Sequence, residues 1–199
     1  MIQIYLRYLF LTKSLLFKYL AFYNSTGMKN RVLIQNERIS IVNMNLDMAE
    51  DVWQNSLDED NRRFVPDEVF ETLEDAKEVI NWIIGNYEIK ENALIYAVIR
   101  NEDNANLGYV QLVKIEEGWE IGYHIAKKYT GQGYATEAVN LFLDYVKQKG
   151  LTKEVYGVAL SENKASLRVL EKCGFIKYFE GIAPYQGQPK SVVKTIKRL

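Results

Sequence analysis

Gly131-Gln132-Gly133-Tyr134-Ala135-Thr136 lies where a strand-like pattern gives way to a helical one. Glycine lets a backbone approach a ligand closely, and the first-turn amides of a helix have no partners within the helix. Together with the positive end of the helix dipole, such amides form a site for phosphate or pyrophosphate. A tight turn that holds nothing would use the same residues. A P-loop needs Lys and then Ser or Thr after its last glycine, and Tyr134-Ala135 follow instead. A dinucleotide fingerprint needs a parallel βαβ unit with an acid closing its next strand, whereas Glu154 opens the next strand here. The single histidine, His124, and the single cysteine, Cys173, cannot form a Cys/His zinc site, so no metal is expected. Strand alternation turns His124 away from Tyr123 and Ile125, which suits a structural imidazole, and Cys173, at a helix end, reads as packing. The acids Asp58, Glu59, Asp60, Asp67, Glu68 and Glu71 would attract a cationic partner or form a solvated acidic loop.

The elements that position these residues follow from periodicity. Arg38 to Val42 alternates as a first strand, and Asn45 or Asp47 can cap a helix carrying Met48, Val52 and Trp53. A polar stretch, Asp58 to Arg63, leads through Pro66 to a second helix capped by Thr72, with Leu73, Ala76, Ile80, Ile83, Ile84 and Tyr87 at helical spacing. Leu94 to Arg100, Leu107 to Ile115 and Trp119 to Ile125 read as a three-strand meander. A helix from about Gly133 to Lys149 presents Ala138, Leu141, Phe142, Tyr145 and Val146, and stops at Gly150. Val155 to Leu160 is a strand, Asn163 to Cys173 a helix, and Phe175 to Phe179 and Val192 to Ile196 closing strands about the turn Tyr185-Gln186-Gly187. The expected fold is α+β, a single domain with a mixed, mostly antiparallel sheet flanked by helices. Gly122, inside a strand, marks a bulge or a close approach.

The 199 residues suit one domain with a real core, and 48% hydrophobic with 26% charged residues excludes a disordered chain. A net charge of −1 offers no footprint for nucleic acid. Residues 1–27 differ from the rest. Arg7, Lys13 and Lys18 without an acid make this stretch +3, leaving −4 on residues 28–199, and the apolar run is too interrupted for a membrane anchor or a signal peptide. Residues 1–27 are therefore expected to be an extension, with residues 28–199 as the domain; an interfacial or partner-binding helix is the alternative. No stable membrane insertion is expected, and one cysteine with no disulfide points to the cytoplasm.

Glu120 to Ala138, taken with Asn163-Lys164-Ala165-Ser166-Leu167-Arg168-Val169-Leu170-Glu171-Lys172-Cys173-Gly174-Phe175, resembles the two signatures of the GNAT N-acetyltransferases. The resemblance is closest to the branch holding the RimJ/RimL-like protein N-terminal and the spermidine acetyltransferases. The motifs cover residues 119–175, and the element order extends the likeness over roughly 38–199. The resemblance implies an acetyl-CoA-dependent N-acetyltransferase, in which a primary amine (a protein N-terminus, a polyamine or another small amine) attacks the thioester directly. Two departures stand out: the loop opens with Thr130 where relatives often carry Arg or Gln, and Leu170 stands where many relatives place a tyrosine that protonates the leaving thiolate.

The same resemblance implies the site residues. Gly131, Gln132, Gly133, Tyr134, Ala135 and Thr136 hold the pyrophosphate; Ile125 offers its N–H to the oxyanion; Asn163 and Ser166 meet the pantetheine arm where the central strands part. Arg168 or Lys172 meets phosphate, or else lies on a solvated helix face. Glu120 is the expected base, a rigidly placed strand residue, unless it forms an ordinary salt bridge, and Ser166 is placed with it in the catalytic set. Glu137 is expected to stabilise the helix start. Two other classes remain: an idle acyl-CoA-binding module, motivated by Leu170, and a nicotinamide-dependent oxidoreductase. A homodimer is left open.

Overall fold

The computed structural model describes residues 31–87 and 93–199; the expected extension, residues 1–27, lies outside them. Thirteen regular elements follow in order: β1 (Val32–Gln35), β2 (Ile39–Asn43), α1 (Ala49–Ser56), α2 (Glu59–Phe64), α3 (Leu73–Asn86), β3 (Ala93–Arg100), β4 (Asn106–Ile115), β5 (Gly118–Ile125), α4 (Tyr134–Gln148), β6 (Glu154–Leu160), α5 (Lys164–Lys172), β7 (Ile176–Tyr185) and β8 (Gln188–Arg198). They build one eight-stranded sheet in the order β1-β2-β3-β4-β5-β6-β8-β7. Only β5 and β6 run parallel; every other neighbouring pair is antiparallel.

Strand alternation decides which residues face which helices. On β3, Leu94, Tyr96 and Val98 join the core under α4 and α5, with Ala138, Val139, Phe142 and Leu170. Ile95 and Ala97 point the other way, onto α1 and α3 with Ala49, Val79, Ile80 and Ile83. The sheet is thus covered on both faces, which is why all five residues of β2 are buried. Thr72 caps α3 in a reciprocal box with Asp75.

Four expectations need correction. The stretch Asp58 to Arg63 is not an open polar loop: Asp58 accepts from the Asn61 N–H and caps α2, with Glu59 and Asp60 in its first turn. The first strand has a partner, β1, joined to it through Asn36 to Arg38, where Asn36 Oδ1 accepts from the N–H groups of Arg38 and Ile39. On α4 the buried stripe runs through Val139 and Leu143, while Leu141 and Tyr145 sit at its margin. β7 and β8 extend beyond the apolar cores of their patterns because the hairpin pairs continuously to Tyr185 opposite Gln188.

Candidate active site

β5 is the strand on which the site is built. Its ladder to β4 runs without a shift from Gly108 opposite Ile125 to Ile115 opposite Gly118. No bulge exists at Gly122 on this side, contrary to one of the two sequence expectations. The other is met: a β-carbon at Gly122 would stand 2.5 Å from Gln111 Nε2, so the glycine makes room for a crossing side chain. Toward β6, only Glu120 and Tyr156 are in register, and the strands part beyond that point. The Ala126 N–H bonds the Leu107 carbonyl at 2.8 Å. Backbone groups of successive antiparallel residues point to opposite edges, so those of Ile125 face the gap.

A cleft of about 650 Å³ opens there, lined by Glu120, Tyr123, Ile125, Ala135, Asn163 and Ser166, and also by Asp58, Glu68, Gln111, Tyr178 and Tyr185. Gly131 and Gly133 take left-handed φ values of 76° and 86°, with nothing within 4 Å of an added β-carbon; backbone conformation, not space, demands glycine there. Gly133 is the N-cap of α4 and supplies no side-chain cap, and the first backbone bond of the helix is Glu137 N–H to the Gly133 carbonyl. The amides of Tyr134, Ala135 and Thr136 therefore head the helix without partners inside it. The Tyr134 side chain packs inward, 6% exposed.

Arg38, which sequence reasoning missed, braces this loop from the β1–β2 turn. Its Nη1 lies 2.8 Å from Glu137 Oε2, its Nη2 donates to the Gln132 carbonyl at 3.2 Å, and its guanidinium sits over the Tyr134 ring at 4.4 Å. Asn36 Nδ2 donates to the other Glu137 oxygen at 2.9 Å. Glu137 is thus tied to the hairpin as well as placed at the helix start. No local pattern announces such a pairing across about a hundred residues.

Glu120 has no hydrogen bond or ion pair with a described side chain, and Lys194 acts on it through its charge alone. Burial pushes its carboxyl up to about 7, with Glu117 adding and Lys194 opposing. Glu68 is likewise raised to about 7 by burial, the neighbouring Asp67 and the charge of Glu120, against the bond it accepts from Gln111 Nε2 at 3.1 Å. The acids therefore do not form one solvated loop. Glu71 pairs with Arg62, Asp60 with Lys127, and Asp58 Oδ2 lies 3.4 Å from His124 Nε2. Burial works against the Asp58 charge, yet the His124 and Asn61 bonds outweigh it and hold its pKa below the usual value. His124 in this way links β5 to the cap of α2.

Asn163 Oδ1 caps α5 by accepting from the Ser166 N–H at 3.0 Å. The Tyr123 hydroxyl lies 2.9 Å from both Ser166 Oγ and the Ser166 carbonyl, a hydroxyl pair that sequence reasoning did not join. Burial raises Tyr123 far above an ordinary phenol, so it stays protonated. Leu170 is 2% exposed and packs against Gly157, where a β-carbon would stand 2.8 Å from its Cδ2. Arg168 is exposed and does not line the cleft. Cys173 is buried, its thiol pushed up to about 11 by burial, with Sγ 3.6 Å from the Thr136 carbonyl. Among the described residues no helix is long and apolar enough to cross a membrane.

The family model described as an acetyltransferase (GNAT) domain matches residues 38–176. The chain is 30% identical over 125 residues to the uncharacterized N-acetyltransferase YnaD of Bacillus subtilis, spanning 62% of this chain and 70% of that protein. A GNAT-family acetyltransferase from Bacillus anthracis superposes with a TM-score of 0.72 at 25% identity, covering 83% of this chain and 97% of that one. The ribosomal L7/L12 α-N-protein acetyltransferase RimL, crystallised with coenzyme A, shares the fold at 16% identity, with a TM-score of 0.72 over 85% of this chain and 98% of its own.

Proposed function

This chain belongs to the GNAT acetyltransferase family, and from that premise we propose that it moves acetyl from acetyl-CoA to a primary amine: a protein N-terminus, a polyamine or another small amine. The observation that carries this reading is Glu120, a carboxylate without an ion partner, raised to about 7 and set in the cleft where β5 and β6 part. An aliphatic amine, with a pKa of about 10, or about 8 for an α-amine, arrives protonated. A base that is half ionised near neutrality can remove that proton.

The donor's pyrophosphate rests on the Tyr134, Ala135 and Thr136 amides, with Gly131, Gln132 and Gly133 shaping the approach. Its pantetheine arm passes Asn163 and Ser166 in the gap. The fit rests on unpartnered helix-head amides beside an open cleft, the donor set an anionic group with an extended tail requires. Arg168, solvent-facing on α5, is left out of the donor site.

The deprotonated nitrogen attacks the thioester carbon, and the charge that develops on oxygen faces the Ile125 N–H. The C–S bond then breaks. Of the ammonium's three protons, one stays on the amide, one ends on the departing sulfur and one leaves through Glu120. Ser166 Oγ, 2.9 Å from the Tyr123 hydroxyl, relays that second proton, taking it up from the attacking nitrogen as it gives its own to the thiolate, in place of a residue-170 tyrosine. A thiol pKa of about 8.5 makes this a small demand. The hydroxyl pair supports an active enzyme over an idle acyl-CoA-binding module. Residues 28–199 form the catalytic domain in this reading, with the cytoplasm as its setting and residues 1–27 as an extension.

The test is Glu120→Gln. Acetyl-CoA affinity by calorimetry should stay within about twofold, while kcat/KM at neutral pH falls about 10²- to 10⁴-fold. The deficit should shrink as pH nears the amine's own pKa. A loss of under threefold, or one constant across pH, would assign the base to another group.

A further inference from the structure

At the acidic end of the cleft, two groups have no part in the transfer just described. Glu68 comes from the turn after α2, and Gln111 from the middle of β4. Gln111 is 7% exposed; its Nε2 donates to Glu68 Oε1 at 3.1 Å. Its Oε1 is buried with no hydrogen-bond partner among the described residues. The pose depends on Gly122, because a β-carbon there would come within 2.5 Å of Nε2 and 2.8 Å of Cγ. An alanine at that position would displace the glutamine from β5 and from Glu68.

A buried amide oxygen without a donor is costly, and so is a desolvated carboxylate served by one neutral N–H. Among the described residues both lack the same thing: a donor for Gln111 Oε1, and a positive one within hydrogen-bond reach of Glu68. The lysines of the cleft do not provide it. Lys127 is paired with Asp60, Lys164 acts by its charge on Glu180, and Lys194 lies over the Phe179 ring at 5.9 Å, with its charge acting on Glu120. The Tyr185 hydroxyl, on the same wall, donates to the Phe64 carbonyl at 3.2 Å and is likewise no donor to Glu68. Glu68 and Gln111 both line the cleft that also holds Glu120, and its volume of about 650 Å³ has room for a ligand.

We propose that Glu68 and Gln111 form a second subsite, for a cation, that selects acceptors carrying an ammonium group besides the amine to be acetylated: small aliphatic diamines and polyamines. The inference rests on the reading of this chain as an amine acetyltransferase. It gives Glu68 a role in selection, separate from bond making. The reacting amine gives up its proton to Glu120. The second amine keeps its own protons and donates to the Glu68 carboxylate and to Gln111 Oε1. Gly122 enters as the residue that permits Gln111 to lie there.

The test separates binding from turnover. Protein saturated with coenzyme A, which has no acetyl group to transfer, is titrated by calorimetry with hexamethylenediamine and with hexylamine. The diamine should bind about tenfold tighter or more, the factor expected of a charge-assisted hydrogen bond away from water. Glu68→Gln should bring the two affinities together, and Gln111→Met should narrow the gap. Coenzyme A affinity and Tm, measured on the same samples, report whether each variant is folded. Equal affinities in the unaltered protein, or a preference that survives both substitutions in folded protein, would overturn the subsite. A preference for diamine, abolished by Glu68→Gln, in a protein that acetylates no amine would support the subsite and count against the transfer reading.

Discussion

The two ends of the cleft are made by different means. The proposed donor end is backbone: consecutive residues from Gly131 to Thr136, two of them held at left-handed φ, ahead of one helix. The proposed acceptor end is side chains from separate elements, with Glu68 from a turn, Gln111 from β4, Glu120 from β5 and Tyr185 from the end of β7. A backbone site tolerates most side-chain changes and fails when its conformation or sign of charge is altered. A side-chain site fails or is retuned one residue at a time, and its burial shifts the protonation of the groups it contains.

The largest effect should come from reversing the electrostatics of the donor end. Gly133→Asp places an L-residue at φ 86° and a carboxylate where an anion must rest. Acetyl-CoA binding should become undetectable by calorimetry, and unchanged affinity would remove the loop from the donor site. At the acceptor end, kcat at saturating donor should rise with pH through about 7, as Glu120 ionises. A profile flat from pH about 5.5 to 8.5 would show that Glu120 is not the base.

A smaller effect is one of stability. Glu68 has a folded pKa of about 7 against an ordinary 4.5. Between those values the folded state binds more protons than the unfolded state, so stability falls as pH rises through this window. Glu68→Gln lifts that penalty, and its Tm should exceed that of the parent above pH about 7 and converge with it toward pH about 4.5. The opposite trend would mean that Glu68 is held charged by a partner. Leu170→Tyr should cost about 1–3 kcal/mol through overpacking against Gly157, with no gain in rate; faster turnover would show that the helix makes room for the family's more frequent residue.

The donor end is also open to weak indirect perturbation. Arg38→Ala removes a hydrogen bond to the loop and one of the two partners of Glu137, while leaving every amide in place. At about 0.5–1.5 kcal/mol for such a contact, acetyl-CoA affinity should fall about two- to tenfold. Removal of residues 1–27 should change neither Tm nor turnover, and a large loss of either would give that segment a role.

The same contrast sets what could be read from the sequence. The loop, the capped helices and the meander were legible because their signals are local: glycines at a helix head, Thr72 three residues before Asp75, alternation along β3 to β5. Glu120 can be singled out as a candidate because a strand residue carries its direction with it. Glu68 stood among six acids with nothing local to distinguish it; only the fold shows that Arg62 and Lys127 neutralise its neighbours while Glu68 turns inward. The Tyr123–Ser166 pair spans forty-three residues, and the Arg38–Glu137 pair ninety-nine. Gly122 was a correct signal with an ambiguous meaning, since the same missing side chain serves a bulge or a crossing glutamine. β1 was missed because four residues are too few to show a period, and its outer residues are exposed.

The brace between the first hairpin and the donor loop has a reciprocal consequence. Arg38 and Asn36 hold Glu137 and the Gln132 carbonyl only while β1 and β2 remain paired. If donor binding favours the braced loop, linkage requires donor to favour the closed hairpin by the same free energy. Amide protons of β2 next to the turn should then exchange more slowly with solvent deuterium when donor is bound, although no atom of the hairpin need touch it.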